Sequence, residues 1–123
     1  MKKVLLVLAA LAVCAAFTIP SLAGAASRAV TIVTIHGDNG DFQGRVKSER
    51  RGCLGNRIVK LFKQKGDRQN PKRDEVIAKD TSERVGDHGV WSVGNTGRKR
   101  GDFYAKVRRT DACKGDYSRT ISL

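Results

Sequence analysis

Histidine is almost missing from this chain: His36 and His88 are the only two among 123 residues. Neither stands in an H-E-x-x-H or H-x-x-E arrangement, so the zinc-hydrolase sites that such spacings mark are excluded. Both sit in Gly- and Asp-rich stretches that read as solvated turns. No nucleophile, base or metal set assembles elsewhere, and the sequence therefore predicts no enzyme and no cofactor. Cysteine is scarce too, limited to Cys14, Cys53 and Cys113, and isolated cysteines without partnered histidines make no zinc set. Asp38-Asn39-Gly40-Asp41 offers oxygen atoms but lacks the spaced ligands of a calcium loop, so a plain turn is expected there. Sustained helical spacing is absent throughout. Negative charge is in deficit, with 12 acidic residues against 24 basic ones and a net charge of +12.

Residues 1–25 have the form of an export signal. Lys2 and Lys3 make a positive start, 4–17 is apolar, Pro20 breaks the run, and Ala23-Gly24-Ala25 supplies small residues for a signal peptidase. Cleavage after Ala25 or Ala26 is expected, because 4–17 is short for a bilayer-spanning helix of roughly 20 residues. Val13, just before Cys14, is not the small residue a lipidation box needs, so no lipid is expected on that cysteine. The mature chain is then a single domain over 26–123, with 22 basic residues against 12 acidic ones. Val, Ile, Leu and Phe make up about a fifth of it, close to the level where high charge predicts disorder, so one modest core is the most it can build. Cys53 and Cys113 remain as an even pair in an oxidising compartment, where a bridge between them stabilises by roughly 4 kcal/mol. Two free buried thiols or an intermolecular bridge are the alternatives. The protein is expected to be secreted or envelope-associated, with no transmembrane anchor after processing.

The clearest strand signals lie between Asp87 and Val107. Two extended runs, 90–93 and 103–107, flank a Gly-rich basic turn and are predicted to pair as a hairpin around Trp91, the only tryptophan. Before them, 29–35 is predicted as a first strand whose alternation slips near Val33 at a bulge, followed by a turn over 36–40. The run 42–49 alternates strictly, with Phe42, Gly44, Val46 and Ser48 on one face and Gln43, Arg45, Lys47 and Glu49 on the other. A third strand is predicted over 57–63, with Val59 and Leu61 inward and Ile58 and Phe62 partly exposed or covering an edge. Then follow a polar loop over 66–73, a weak strand over 75–79, a connection over 80–86, and a closing strand over 117–123 with Tyr117, Arg119, Ile121 and Leu123 on one side. Seven short strands at this spacing predict an all-β, seven-stranded antiparallel Greek-key sandwich. Its expected core is Phe42, Val46, Val59, Leu61, Trp91, Phe103, Ala105 and Val107.

Four segments in this order carry a family resemblance: Phe42-x-Gly44-x-Val46, Arg57-x-Val59-x-Leu61, Asp87-x-Gly89-x-Trp91 and Gly101-x-Phe103-x-Ala105-x-Val107. They resemble the successive strand motifs of transthyretin-like sandwiches, a group that includes carboxypeptidase regulatory-like domains and the B-type repeats of bacterial surface proteins. The resemblance spans about 31 to 123. It implies a prealbumin-like sandwich with the Asp87-His88-Gly89 turn just before a core aromatic. It also implies the cysteine placement of the small secreted, disulfide-bearing versions, at positions like Cys53 and Cys113. The Lys–Asn isopeptide triad of the surface repeats is not placed in this sequence. No sorting signal follows Leu123, so covalent wall attachment is not expected.

Function is legible only in the basic residues. Arg50-Arg51 precede Cys53, Lys72-Arg73 lie in the long loop, Arg98-Lys99-Arg100 top the expected hairpin, and Arg108-Arg109 end a strand near Cys113. If two or three of these clusters share one end of the sandwich they form an anion-binding surface; otherwise they are a solubilising coat that also discourages edge pairing. Tyr104, which alternates outward with Lys106, is expected to join such a face. An exported chain with no recognition helix is not a sequence-specific nucleic-acid reader. Extracellular DNA, teichoic acids, acidic glycans and anionic headgroups remain as partners. The sequence thus predicts a non-catalytic binding or structural module associating with envelope or extracellular polyanions. The alternative is an accessory or inhibitor-like protein presenting a rigid loop to a protein partner.

Overall fold

The computed structural model describes residues 27–123; the expected leader, its cleavage point and Cys14 lie outside the described residues. Ten strands follow in order: β1 (Ile32–Val33), β2 (His36–Asp38), β3 (Asp41–Lys47), β4 (Ile58–Gln64), β5 (Glu75–Thr81), β6 (Glu83–Val85), β7 (His88–Val93), β8 (Asp102–Val107), β9 (Asp116–Tyr117) and β10 (Ile121–Ser122). They form two antiparallel sheets. In the first, β1 and β2 share one edge of β3, with β7 and β6 beyond it; in the second, β9 and β10 share one edge of β8, with β4 and β5 beyond it. Ten strands therefore fill eight rows. Seven of these rows are the predicted strands. The eighth is β6, whose three residues are all exposed and carry no inward-outward pattern.

The predicted pairing of 90–93 with 103–107 is wrong. β7 pairs with β3 and β6, and β8 pairs with β4, β9 and β10, so the two runs belong to different sheets. Each run presents an apolar face, Trp91 on one and Phe103, Ala105 and Val107 on the other. Burying those faces against each other across the core removes more apolar surface from water than laying the strands side by side. The connection 94–101 crosses between sheets, helped by left-handed backbone at Asn95, Gly97 and Gly101. All eight expected core residues are buried, and Val33 and Ile35 join them.

Three strand boundaries differ from expectation for identifiable reasons. The 29–35 stretch keeps its parity, with Thr31, Val33 and Ile35 all inward. It reads as slipped because a threonine faces in while Val30 and Ile32 face water. The expected turn over 36–40 shrinks to Asn39-Gly40, both with positive φ (51° and 90°), as a two-residue hairpin between β2 and β3 requires. The closing strand breaks between β9 and β10, where Ser118 turns inward and exchanges bonds with Ala105. Tyr117 and Ile121 thus end on different faces.

Close approach explains two glycines. A Cβ on Gly44 would overlap the Thr34 carbonyl and the Trp91 indole, which donates to that carbonyl at 3.0 Å; a Cβ on Gly89 would overlap the Leu54 carbonyl. The sheet edges are tied by carboxylates: Asp80 accepts from the Ser92 amide and Asp116 from the Val33 amide, at 2.8 and 2.9 Å. Both connect one sheet to the other.

Phe62 and Tyr104 correct the expectation of exposure. They lie on the outer face of the second sheet, as their parity demands, but are stacked on each other with centroids 5.0 Å apart and are buried. The 65–74 segment contributes Asp74, whose carboxylate accepts from the Tyr104 hydroxyl at 2.6 Å and from the Asn70 and Lys65 amides. Burial raises the Asp74 pKa, but these three donors outweigh it and hold the carboxyl below its usual range. Burial and the adjacent carboxylate push the Tyr104 hydroxyl up.

Tyr104→Phe is therefore expected to lower stability by about 2 kcal/mol near neutral pH, the loss of a hydrogen bond to a charged acceptor. Asp74 is depressed in the folded state, so its contribution is present above the unfolded carboxyl value of about 4 and is lost as pH falls through the folded one. Urea unfolding of both proteins should show the gap narrowing in acid. A gap that stays constant with pH would refute the Tyr104–Asp74 account.

Candidate anion-binding surface

Strand direction sorts the basic clusters. The β3-to-β4 crossover and the β8-to-β9 turn lie at one end of the sandwich, while the 65–74 loop and the 94–101 crossover lie at the other. A seven-residue strand separates the ends by about 20 Å. Arg50, Arg51, Arg108 and Arg109 thus lie at the first end, and Lys72, Arg73, Arg98, Lys99 and Arg100 at the second. With no central hairpin for Arg98-Lys99-Arg100 to top, that cluster belongs to a crossover between sheets. Tyr104 joins neither group, because it is buried under the 65–74 loop.

The first end is closed by the Cys53–Cys113 disulfide, with Cα atoms 5.7 Å apart. Cys53 ends a short 3-10 turn, Arg51–Cys53, and Cys113 forms a bridge with Ala29. Beside the disulfide lies Arg57, only 1% exposed. Its guanidinium donates to Thr31 Oγ1 and the carbonyls of Cys53, Arg108 and Lys114, all at 2.8–3.0 Å. Burial lowers its pKa, and Nε has no partner. An arginine remains charged there, and its planar fork lets one side chain tie three chain segments together. Two nearby arginines are hydrogen-bonded as well. Arg50 donates to the Ala112 carbonyl at 2.8 Å and Arg28 to that of Thr110 at 2.9 Å through their guanidinium groups, and both residues remain exposed.

Among the described residues Arg98 pairs with Glu75 at 2.6 Å, and His88 Nδ1 lies within hydrogen-bond distance of the Asp87 carboxylate at 2.9 Å. The first compensates one cation of the distant end. Neither involves Arg50, Arg51, Arg108 or Arg109. The bond from His88, with Arg45 adding to it, holds the Asp87 carboxyl below its usual range.

A trough of about 1170 Å³ opens at the disulfide end, along the outer face of the first sheet. Arg28, Arg45, Lys47 and Arg50 line it, against Glu49 and Asp87. Sequence reasoning grouped Arg45 and Lys47 only as the polar face of β3. The signal was present in their alternation, but their nearness to Arg28 and Arg50 required the topology. His36 and His88 are strand residues, not turn residues, and line a smaller hollow with Gln43 and Arg45. Among the described residues, no group of three or more His, Cys, Asp or Glu side chains is placed to hold a metal ion, and Asp38 and Asp41 flank the β2–β3 turn. No helix among them is long and apolar enough to cross a membrane.

No family model matches the chain, nor does any curated protein sequence. Among solved structures the chain is similar to a superoxide reductase in the oxidized state, at 9% identity and a TM-score of 0.39, covering 79% of this chain and 90% of that one. A likeness that slight carries neither fold nor chemistry across.

Proposed function

We propose that this protein is an exported, non-catalytic module of the transthyretin-like sandwich kind that holds to a phosphate- or carboxylate-bearing polyanionic surface, of the cell envelope or outside the cell. The observation that carries the reading is the assembly of Arg50, Arg51, Arg108 and Arg109 at one rigid, disulfide-closed end, without a paired carboxylate among the ion pairs of the described residues. Arg50, held by its bond to the Ala112 carbonyl, loses less conformational freedom when an anion arrives than a free side chain would. The attraction extends about 10 Å at moderate salt and fades with screening. The disulfide agrees with an oxidising location outside the cytoplasm.

Fractionation of producing cells tests this. The protein is expected with the envelope at low salt and in solution after a wash with about 1 M salt, where screening contracts to about 3 Å. Protein found free in the medium at low salt would contradict envelope attachment.

A further inference from the structure

The two sheets differ in what covers them. The outer face of the second is roofed by the 65–74 loop over Phe62 and Tyr104. Among the described residues, the outer face of the first opens into the trough at the disulfide end, and it is not uniformly polar. Register places Ile32 beside Lys47 and Val85 beside His88; extending the β3–β7 register by one residue sets Lys47 opposite His88. One row therefore reads apolar, cationic, histidine, apolar. Val30, Ile32 and Val85 are 62%, 52% and 52% exposed, and Val30 and Ile32 lie in the same trough as its four cations.

We infer that this face docks flat on a bilayer surface bearing anionic phospholipids, with Ile32, Val30 and Val85 in the interface and Arg45, Lys47, Arg28 and Arg50 among the headgroups. The inference rests on the anion-binding reading above and narrows its ligand. A soluble polyanion is served by cations alone and gains nothing from β-branched side chains held rigidly in water. An anionic leaflet rewards both, taking the apolar chains out of water while the cations meet negative headgroups. The path of the chain agrees. Ser27 and Arg28, the first of the described residues, line the trough, so Arg28 brings its charge to this face.

The test uses protein purified from producing cells, sedimented with phosphatidylcholine vesicles that contain or lack phosphatidylglycerol, and in parallel titrated with soluble inorganic polyphosphate. Wild type is expected to bind the phosphatidylglycerol vesicles and not the neutral ones. Ile32→Thr with Val85→Thr, which keeps β-branched residues in the strands, should weaken vesicle binding roughly tenfold and leave polyphosphate binding unchanged. Arg45→Gln with Lys47→Gln should weaken vesicle binding by roughly fivefold per cation. Vesicle binding that is untouched by the Ile32 and Val85 changes, with polyphosphate binding intact, overturns the docking and spares the anion-binding reading. Wild type that binds neither probe overturns both. Self-association that Ile32→Thr abolishes, without vesicle binding, assigns the face to a second copy and also overturns the inference.

Discussion

Replacing Cys53 and Cys113 together with alanine is expected to lower the unfolding free energy by roughly 4 kcal/mol, as read from urea unfolding at neutral pH. The bridge spans a sequence separation of 60, so its removal returns a long loop's worth of freedom to the unfolded chain. A domain of this size has only about 5–15 kcal/mol of net stability, and the loss is a large share of it. Arg57 makes the effect non-additive. Its guanidinium and the disulfide both connect the 53 region to the 108–114 segment. Arg57→Met alone strands several buried acceptors and is expected to cost about 3 kcal/mol. Once the bridge is gone, that segment has more freedom to move away and hydrate its carbonyls, so the triple variant should lose less than the sum of the two changes. A change below about 1 kcal/mol for the double alanine variant, in the range of an ordinary surface substitution, would refute the role given to the disulfide.

How much of this was legible in the sequence depended on whether a residue's surroundings were local. Phe42 and Val46 sit in strict alternation, and Phe103, Ala105 and Val107 repeat it, so their burial followed from period two. Pairing did not follow, because 90–93 and 103–107 each look like half of a hairpin. The choice between partners in one sheet and partners across the core was made by distant β3 and β4. Tyr104 points outward as its parity says; the 65–74 loop that covers it is polar and gives no apolar signal, since it docks through Asp74 and Gln69. Arg57 reads as the polar start of a strand. Its burial depends on four acceptors from three other segments, which no local pattern announces. β6 was missed because an all-exposed strand between two turns has no periodicity. For the candidate site, the clusters themselves were visible, and their sorting to opposite ends awaited the strand directions.

That sorting makes the second large prediction. Neutralising Arg50, Arg51, Arg108 and Arg109 to glutamine should weaken binding to a linear polyanion by roughly several-hundredfold at low salt, given roughly fivefold per cation near an anionic surface. The corresponding change at the far end, with Lys72, Arg73, Lys99 and Arg100 made glutamine, should cost much less. The trough cations Arg28, Arg45 and Lys47 adjoin Arg50 at the disulfide end and extend that surface. The same number of charges is removed in both variants, so net charge cannot account for a difference between them.

The decisive measurement is the salt dependence of binding to inorganic polyphosphate for the wild type and these two variants. Each anionic contact on a single-stranded polyanion adds about 0.7 to the slope of log affinity against log salt, so the disulfide-end variant should lose about 3 from that slope while the far-end variant stays close to wild type. Equal losses in the two variants would mean that the charge acts as a diffuse coat, and would contradict a binding surface at the disulfide end.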